Sequence, residues 1–440
     1  MLISEVKQMI IENEVCKCGK IHKNPVDELV VGKGVINQLP AIAKKYNAKS
    51  AFIIADKNTF AVAGETVLNL LEKEEIKCSK YVFKNGDLEP DEKTVGSAVM
   101  HFNNSCDVIV AIGSGVINDI SKILADISGK KYIIVATAPS MDGYASESSS
   151  MSMDGVKVSL KSKCPDAIIG DIDILKTAPD NMLRSGMGDM LAKYISICEW
   201  RIANIITGEY YCEDVAQMIR EALKCCTDNA QALLKRDENA ILAVFEGLVK
   251  GGIAMSYAGV SRPASGVEHY LSHVWDMRGL EFGTPVDFHG IQCAIGTYIS
   301  AKIYEEIKEI TPDKEKALKY ANEFDFADWS DKLREFIGQG AEAMIELEAK
   351  EQKYNIEKHS KRIDVIIENW EKILNVIKEE IPTVLEIENI YNTINLPKEP
   401  KEIGISNELI PMTFKASKDI RDKYVLSRLC WDLGILDEII

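Results

Sequence analysis

The sequence lacks a long uninterrupted hydrophobic run. A membrane-spanning helix needs roughly 18 or more consecutive apolar residues. The best candidate in this 440-residue chain, at 241–260, is interrupted by Glu246 and Lys250. The first residues contain Glu5 and Lys7, without a basic region followed by an apolar core. We therefore predict neither a transmembrane helix nor a secretory signal.

An excess of positive charge is also missing. The chain has 52 Lys and Arg residues against 68 Asp and Glu residues, a formal net charge of −16. Such a chain is poorly suited to the phosphate backbone of nucleic acids or to an anionic membrane surface. Its 11 cysteines, an odd number spread from Cys16 to Cys430, fit reduced thiols better than a disulfide framework. We expect a cytoplasmic protein that neither binds nucleic acid nor inserts into a membrane.

Three common catalytic motifs are absent. The sequence contains no G-x-S-x-G elbow, no Walker A sequence and no H-E-x-x-H pair. It therefore lacks the usual marks of a serine hydrolase, a P-loop NTPase and a zincin metalloprotease.

The first part of the chain alternates apolar runs with amphipathic stretches. Strands are predicted at 50–56, 78–83, 106–112 and 132–136, and helices at 59–74, 92–103 and 118–128, with a turn at 85–87. This alternation is typical of a parallel sheet covered by helices. From about residue 182 the periodicity is helical. We predict an α/β domain with a parallel Rossmann-like sheet over 1–180 and an all-helical domain over 181–440, with a cleft between them.

A glycine pair follows the predicted strand at 106–112. Gly113-Ser114-Gly115 lets a ligand approach the backbone, and the helix that follows offers unpaired N–H groups to a phosphate. Because position 118 is Asn, the G-x-G-x-x-G fingerprint is incomplete, and an ordinary strand-to-helix turn explains the pattern equally well. Asp56 ends an earlier strand. It either binds a ribose hydroxyl, which would favour NAD over NADP, or caps a helix.

A loop of small and hydroxylated residues follows the strand at 132–136. Residues 137–146 contain Thr137, Pro139, Ser140 and Gly143. Loops of this kind at the carboxyl end of a parallel strand often face a ligand crevice. A plain serine-rich loop would have the same composition.

Histidines are scarce, yet three of the six lie close together in the sequence. His269 and His273 are four residues apart, so on a helix they share one face, and His289 follows. Upstream, Asp189 ends a Gly-Met-Gly-Asp segment. Two imidazoles and a carboxylate are the donors of a catalytic zinc-type site. We favour a metal site over histidines that merely pack in the core or lie on the surface.

A second group of metal-type donors lies near the N-terminus. Cys16, Cys18 and His22 stand within seven residues. The spacing matches no common zinc finger and a fourth ligand is missing, so we favour a structural or incidental role for this cluster. Cys225 and Cys226 are interpreted as packing thiols on a helix.

Taken together, the motifs resemble the glycerol-1-phosphate dehydrogenase branch of the iron-containing alcohol dehydrogenase and dehydroquinate synthase superfamily. Ser114 departs from the family, which usually has Gly there, and Asn118 departs from its usual Ile or Val. The matching segments are residues 112–119, 137–143, 186–189, 265–273 and 289–290, in family order.

The resemblance implies a role for each candidate site residue. Asp189 and His273 would be catalytic, and Asp189 with His269 and His289 would hold Zn²⁺ or Ni²⁺. Asp142, Asp189 and His273 would contact the substrate. The residues that would line NAD, or NADP, are Asp56, Gly113, Ser114, Gly115, Val116, Ile117, Thr137, Ala138, Pro139, Ser140 and Ser146.

The implied reaction interconverts dihydroxyacetone phosphate and sn-glycerol 1-phosphate, within phospholipid metabolism. The alternatives are a glycerol or other polyol dehydrogenase, a non-redox lyase of the dehydroquinate synthase type, and a nucleotide-binding protein without catalysis. The resemblance also implies a homodimer or a larger assembly. Our candidates for binding the substrate phosphate are Arg262 and either Lys161 or Lys163. The role of the 151 residues that follow His289 is open.

Overall fold

The computed structural model describes residues 15–84, 88–154 and 156–440. The predicted turn at 85–87 and the first ten residues lie outside the described part of the chain. The chain folds into two compact units. The first comprises Met1–Asp154, Val158–Met190 and Asp214–Val260, as far as these are described, and the second Gly155–Lys157, Leu191–Glu213 and Ser261–Ile440.

The first unit is built on a sheet of six parallel strands, which confirms the predicted sheet. The spatial order is β1-β8-β5-β4-β2-β3, and β6 and β7 form a separate two-stranded sheet. The strands are β1 (Glu28–Gly32), β2 (Ser50–Asp56), β3 (Lys77–Phe83), β4 (Val108–Gly113), β5 (Lys131–Ala136), β6 (Ser148–Met153), β7 (Val156–Lys161) and β8 (Ala167–Asp171).

Four of these strands follow the predicted positions, and four were not predicted. β1 and β8 are only five residues long, too short for a periodic pattern to stand out. The sequence of β6 is Ser-Ser-Ser-Met-Ser-Met, which lacks the β-branched and aromatic residues typical of strands.

Apolar side chains of the sheet and its covering helices form one core cluster. Ile53, Val110, Ile112 and Val135 on the strands are fully buried in it. These runs are apolar on both faces because helices cover a parallel sheet on each side. The sequence therefore reveals the inner strands β2, β4 and β5 most clearly.

The predicted helices at 59–74 and 92–103 agree closely with the structure, and the predicted helix at 118–128 starts three residues earlier, at Gly115. The helices Leu39–Lys45 and Ile172–Leu175 were not predicted. A π-helical stretch, Phe60–Gly64, lies within the predicted helix at 59–74. The α-helices are Leu39–Lys45, Lys57–Thr59, Glu65–Lys73, Glu92–His101, Gly115–Ser128, Ile172–Leu175 and Asp180–Leu191.

The rest of the chain, all of it described, contains helices and no strand. The α-helices are Lys193–Thr207, Glu213–Asp228, Ala230–Leu233, Glu238–Ala258, Val267–Phe282, His289–Ile307, Lys314–Glu323, Phe326–Ile337, Gly340–Glu351, Ile356–Glu368, Trp370–Glu380, Val384–Ile394, Ile410–Ser417 and Leu426–Asp432. The predicted helical character of this half is confirmed.

The unit that contains the sheet also includes residues 214–260 of that half, among them the helix Glu238–Ala258. By length and composition this helix could cross a membrane, but 78% of its most apolar window is buried inside the structure. A core helix of a globular protein passes the same test, because it too is apolar on every side.

Candidate functional site

Two neighbouring strands of the sheet end at the point where the connections change direction. From β2 the chain continues to β3 on one side, and from β4 it continues to β5 on the other. In open α/β sheets, ligands bind outside the carboxyl ends of the strands at such a switch point. Ala55 pairs with Ile112, so Asp56 and Gly113 end adjacent strands. The topology thus places both nucleotide candidates at the expected crevice.

Hydrogen bonds fix the turn after β4 against the loop after β5. The backbone N–H of Thr137 donates to the Gly113 carbonyl at 3.1 Å. The Ser114 hydroxyl lies 2.6 Å from the Ser140 hydroxyl and accepts from the Tyr144 hydroxyl at 3.0 Å. Tyr144 is fully buried, and its single hydroxyl proton is shared between Ser114 Oγ and the Ala138 carbonyl oxygen, which lies 2.7 Å away. The Ser114 that departs from the family therefore joins two predicted nucleotide loops.

The helix Gly115–Ser128 has the chemistry of a phosphate site at its start. Its N-cap, Ser114, makes no side-chain capping hydrogen bond, because the hydroxyl is bonded to the other loop. The first turn, which contains Val116 and Ile117, thus presents backbone N–H groups and the positive end of the helix dipole. This fits the pyrophosphate of a dinucleotide.

The Asp56 side chain caps a helix. Its Oδ1 accepts hydrogen bonds from the backbone N–H groups of Asn58, at 2.7 Å, and Thr59, at 2.9 Å. The Thr59 side chain completes a capping box by accepting from the Asp56 N–H. The capping interpretation considered for Asp56 is therefore confirmed, and its ribose contact stays a prediction.

A buried lysine that was not predicted anchors the loop 143–148. The Lys122 ammonium is fully buried and donates to the Ser146 hydroxyl at 2.9 Å and to the Ser148 carbonyl at 3.0 Å, and also bonds the Gly143 carbonyl. The Asn118 amide donates to the same Gly143 carbonyl at 3.2 Å. Ser146, predicted to contact the nucleotide, is thus bonded within the protein. A lysine on the buried face of an amphipathic helix was the available signal.

Asp142 and Asp189, both buried, are brought together. The backbone N–H of Asp142 donates to Oδ2 of Asp189 at 2.8 Å. The helix Asp180–Leu191, which carries Asp189, approaches the loop closely at Gly186, where a Cβ would overlap the carbonyl oxygen of Pro139. Gly186, the first glycine of the Gly-Met-Gly-Asp segment, therefore permits the close approach to the loop that positions Asp189.

Two further glycines in a helix interior support the same loop. A Cβ at Gly252 would lie 2.9 Å from the Asp142 carbonyl oxygen and 2.9 Å from the Ala145 nitrogen, and one at Gly251 would lie 3.1 Å from the Asp142 Cβ. Both belong to the helix Glu238–Ala258. Adjacent glycines inside a helix are costly, and such a pair signals a close backbone approach. That signal is present in the sequence, although neither glycine was among the predicted site residues.

In the second unit, His269 and His289 converge with a cysteine that was not predicted. The donor atoms of His269, His289 and Cys293 all lie within 4.8 Å of one another, and the two imidazole centroids are 5.0 Å apart. Burial opposes ionisation of the Cys293 thiol, but His269 and His289 hold its pKa below the usual value. The cysteine lies one helical turn after His289, a spacing that could have identified it.

A buried glutamate orients His269. Glu268 Oε1 lies 2.8 Å from His269 Nδ1 and accepts from the Gly266 N–H at 2.7 Å. A carboxylate only accepts, so His269 Nδ1 carries the proton and Nε2 presents its lone pair. A Cβ at Gly266 would lie 2.7 Å from Glu268 Oε2 and 2.6 Å from Glu199 Oε2. The Ser-Gly-Val-Glu-His segment therefore supports His269, and only glycine fits at position 266.

His273 lies beside His289, with the two rings stacked at a centroid distance of 6.1 Å. Burial, together with the positive charge of Arg421 and smaller effects of His289, His269 and Lys157, holds the pKa of His273 well below its usual value. The imidazole is therefore neutral near pH 7, and one of its ring nitrogens can accept a hydrogen bond.

Two of the three candidates for phosphate binding are paired with carboxylates of the protein. Arg262 is buried and forms a bidentate ion pair with Glu209, while its third nitrogen donates to the Tyr424 carbonyl at 2.8 Å. Lys163 pairs with Asp166 at 2.8 Å. Both cations are therefore already paired with carboxylates of the protein. The sequence could not show this, because Glu209 is far from Arg262 along the chain and the pairing of Lys163 with Asp166 depends on the turn between them. Lys161 lies exposed on β7.

Comparisons with known proteins agree with the family predicted from the motifs. A sequence model of the iron-containing alcohol dehydrogenase family matches residues 30–179. A protein of Bacillus licheniformis named glycerol-1-phosphate dehydrogenase [NAD(P)+] is 34% identical over 310 residues, 70% of this chain and 77% of that protein. The chain belongs to the glycerol-1-phosphate dehydrogenase family. The predicted membership in the iron-containing alcohol dehydrogenase and dehydroquinate synthase superfamily is thereby confirmed.

The similarity extends over nearly the whole chain. A protein of the same name from Halalkalibacterium halodurans is 29% identical over 429 residues, 97% of this chain and 96% of that protein. Glycerol dehydrogenase from Schizosaccharomyces pombe shares the fold, with a TM-score of 0.59 at 16% identity over 94% of this chain and 89% of that chain. Membership implies an oxidoreductase with a small-molecule substrate, a nicotinamide dinucleotide and a metal ion.

Proposed function

We propose that this protein is a metal-dependent, NAD(P)-linked dehydrogenase that interconverts dihydroxyacetone phosphate and sn-glycerol 1-phosphate, a step of phospholipid metabolism. The observation that carries the proposal is the His269–His289 pair, oriented by Glu268. Proteins similar to this chain are named glycerol-1-phosphate dehydrogenase [NAD(P)+]. Nothing in the described residues favours the polyol dehydrogenase, the lyase or the non-catalytic alternative.

We propose that Asp189, His269 and His289 bind one divalent cation, Zn²⁺ or Ni²⁺. The Asp189 carboxylate accepts a hydrogen bond from the Asp142 N–H, and Glu268 leaves His269 Nε2 available. Two imidazoles and one carboxylate suit either metal. When bound, the ion supplies Lewis-acid stabilisation of the negative charge that develops at the substrate's C2 oxygen.

The protein's own groups would manage the proton. The reaction moves a hydride between substrate C2 and the nicotinamide, and a proton leaves or joins the C2 oxygen. His273 would accept a hydrogen bond from the C2 hydroxyl group or relay its proton. Asp142 is buried beside Asp189 and would position a substrate hydroxyl group.

The nucleotide would lie along the carboxyl edge of the sheet. Gly113 to Ile117 would face its pyrophosphate, and residues 137–140 would face the nicotinamide side. Asp56 would accept a hydrogen bond from the adenosine ribose through the carboxylate that also caps its helix. A carboxylate at this position repels a 2′-phosphate, so we propose a preference for NAD over NADP.

Arg421 is our revised candidate for the substrate phosphate. Its charge acts on His273, as does that of Lys157, so both cations lie near the proposed reacting end of the substrate. Arg421 belongs to the 151 residues after His289. One role of that segment would be to supply the phosphate-binding cation.

One assay tests the function directly. Reduction of dihydroxyacetone phosphate is followed with NADH and with NADPH, in the presence of Ni²⁺, Zn²⁺ or no metal, and the chirality of the product is determined. We expect metal-dependent formation of sn-glycerol 1-phosphate and little activity with unphosphorylated dihydroxyacetone. A faster reaction with the unphosphorylated substrate would indicate a polyol dehydrogenase. Product formation without net oxidation of NADH would indicate a lyase.

Variants separate the metal from the nucleotide. Asp189→Asn and His289→Ala are expected to abolish turnover and to reduce bound metal while leaving NAD binding intact. Cys225→Ser, at an exposed position, is the control. Wild-type rates in either site variant would refute the ligand assignment.

We also propose that the enzyme acts in the cytoplasm as a homo-oligomer. The described cysteines form no disulfide, which suits a reducing compartment. Light scattering coupled to size-exclusion chromatography checks the assembly, and a monomer at micromolar concentration would contradict it.

A further inference from the structure

The N-terminal cysteines and histidine converge in the first unit. Residues 15–21 form a tight hairpin: Val15 bridges Ile21, the Cys16 N–H donates to the Lys20 carbonyl at 2.9 Å, and Gly19 adopts a φ of +86°. The hairpin brings Cys16, Cys18 and His22 to one place, and their donor atoms lie within 4.8 Å of one another. Cys18 Sγ is 3.4 Å from His22 Nε2.

The histidine is already held in the tautomer that binds a cation. His22 Nδ1 lies 2.9 Å from the Tyr257 carbonyl oxygen. A carbonyl oxygen only accepts, so Nδ1 carries the proton and the lone pair of Nε2 faces the Cys18 thiol. A backbone carbonyl behind one ring nitrogen is the usual outer support of a metal-binding histidine. The His22 side chain is 1% exposed, so its Nε2 faces a site inside the protein.

Apolar packing does not explain why this hairpin is ordered. Its two hydrophobic side chains, Val15 and Ile21, are 71% and 52% exposed. Two of its polar contacts to the rest of the unit lie side by side: Lys20 Nζ donates to the Ala258 carbonyl at 2.8 Å, next to the Tyr257 carbonyl that holds His22. Small segments without a hydrophobic core commonly depend on a metal or a disulfide, and these cysteines form no disulfide.

An acidic side chain of the same unit lies beside the cluster. The Cys16 thiol donates to Asp214 Oδ2 at 3.3 Å. The negative charge of a carboxylate next to the thiols favours a cation at this place.

We propose that Cys16, Cys18 and His22 supply three of the ligands of a structural Zn²⁺ ion. Two thiolates and an imidazole are donors that suit zinc better than the hard cations Mg²⁺ and Ca²⁺. The ion fastens the hairpin to the last carbonyls of the helix Glu238–Ala258, the helix whose glycines support the loop at 142–145. It is therefore separate from the proposed catalytic cation and stabilises the nucleotide-binding unit.

Metal content of the full-length enzyme tests the stoichiometry. The wild type, purified from zinc-supplemented cells, should contain two metal ions per chain. The double variant Cys16→Ser/Cys18→Ser should contain one, and Cys225→Ser should retain two. Asp189→Asn should also contain one, but lose the catalytic ion. Two ions in the Cys16/Cys18 double variant would overturn the proposal, whatever the activity of the enzyme.

A spectroscopic readout distinguishes the two sites. Cobalt(II) bound by several thiolates gives an intense thiolate-to-metal charge-transfer band, which histidine and carboxylate ligands do not give. We expect this band in wild-type, Asp189→Asn and Cys293→Ser proteins, and its loss in Cys16→Ser/Cys18→Ser. A band that persists in the double variant, or that disappears only in Cys293→Ser, would overturn the assignment.

Mass-tag alkylation of the wild-type protein covers the case in which a variant does not fold. In the zinc-loaded enzyme, Cys16 and Cys18 should resist alkylation, and a chelator should increase their labelling at least tenfold. The exposed Cys225 provides the reference rate in both states. Labelling of Cys16 and Cys18 that a chelator does not change would contradict the proposal.

Discussion

At the scale of single residues, Glu268 has the clearest supporting role. It lies between His269 Nδ1 and the backbone N–H of Gly266, so it fixes the tautomer and the ring orientation together. We predict that Glu268→Gln lowers affinity for the catalytic metal by about 10- to 100-fold, because an amide supports the imidazole less well than a carboxylate. Competition with a chromogenic chelator measures the affinity. Unchanged affinity would mean that Glu268 serves only packing.

Gly186 allows a pair of matched substitutions. A Cβ at this position would overlap the Pro139 carbonyl, whereas one at Gly96 would meet nothing within 4 Å. Both glycines lie inside helices. We predict that Gly186→Ala costs about 1–3 kcal/mol of unfolding free energy through overpacking, while Gly96→Ala stabilises the protein by about 0.5–1 kcal/mol. Urea denaturation of the two variants compares them, and equal effects would contradict the close approach.

Arg421 is tested by its effect on the phosphorylated substrate. Loss of a charge-assisted contact worth about 1.5–3 kcal/mol corresponds to a roughly 10- to 100-fold change. We predict that Arg421→Ala raises KM for dihydroxyacetone phosphate by this amount, with a smaller effect on kcat. Arg262→Ala should instead destabilise the fold, since it leaves Glu209 partly buried and unpaired. If Arg421→Ala leaves KM unchanged, another cation binds the phosphate.

At the scale of the element, the Asp56 carboxylate at the end of β2 caps a helix and, in our proposal, also binds the adenosine ribose. Serine is as good an N-cap as aspartate, so Asp56→Ser keeps the helix cap and removes the charge. We predict that this variant has an unfolding free energy within about 0.5 kcal/mol of the wild type and gains activity with NADPH relative to NADH. Asp56→Ala serves as the comparison that loses both. A constant coenzyme ratio in Asp56→Ser would leave capping as the only role of the residue.

The elements also show where sequence patterns are sufficient. β4 and the helix after it are recognised because an apolar run, two glycines and an amphipathic helix are all local features. β8 and the contacts that support the loop 137–146 are not recognised from the sequence, because they depend on partners far along the chain. Lys122, Tyr144 and Gly252 read as ordinary core or helix residues until the fold brings the loop to them.

At the scale of the whole molecule, a buried carboxylate pair links stability to pH. Burial, and then the charge of Glu268, raises the pKa of Glu199 to about 8, while it accepts hydrogen bonds from the backbone N–H groups of Leu426 and Val267. In the unfolded chain the pKa of the same group lies near its ordinary value of 4.5. The folded state therefore holds an extra proton, and stability falls as pH rises from about 4.5 to about 8 and then levels off.

We predict that Glu199→Gln flattens this decline. Tm measured between pH 5 and pH 9, in a metal-saturated and a metal-free series, should fall less in the variant than in the wild type. Parallel curves for the two proteins would show that Glu199 does not titrate in this range.

The sequence alone determined the class of the molecule. Local periodicity identified the inner strands of the sheet and most helices, and short motifs identified the family, because both are written in neighbouring residues. The tertiary structure decided the rest. It assigned Asp56 to a helix cap, engaged Arg262 with Glu209, and placed Cys293 beside the histidines and His22 beside Cys18. Each of these contacts depends on the distances between groups in the folded chain, which the order of the residues alone does not give.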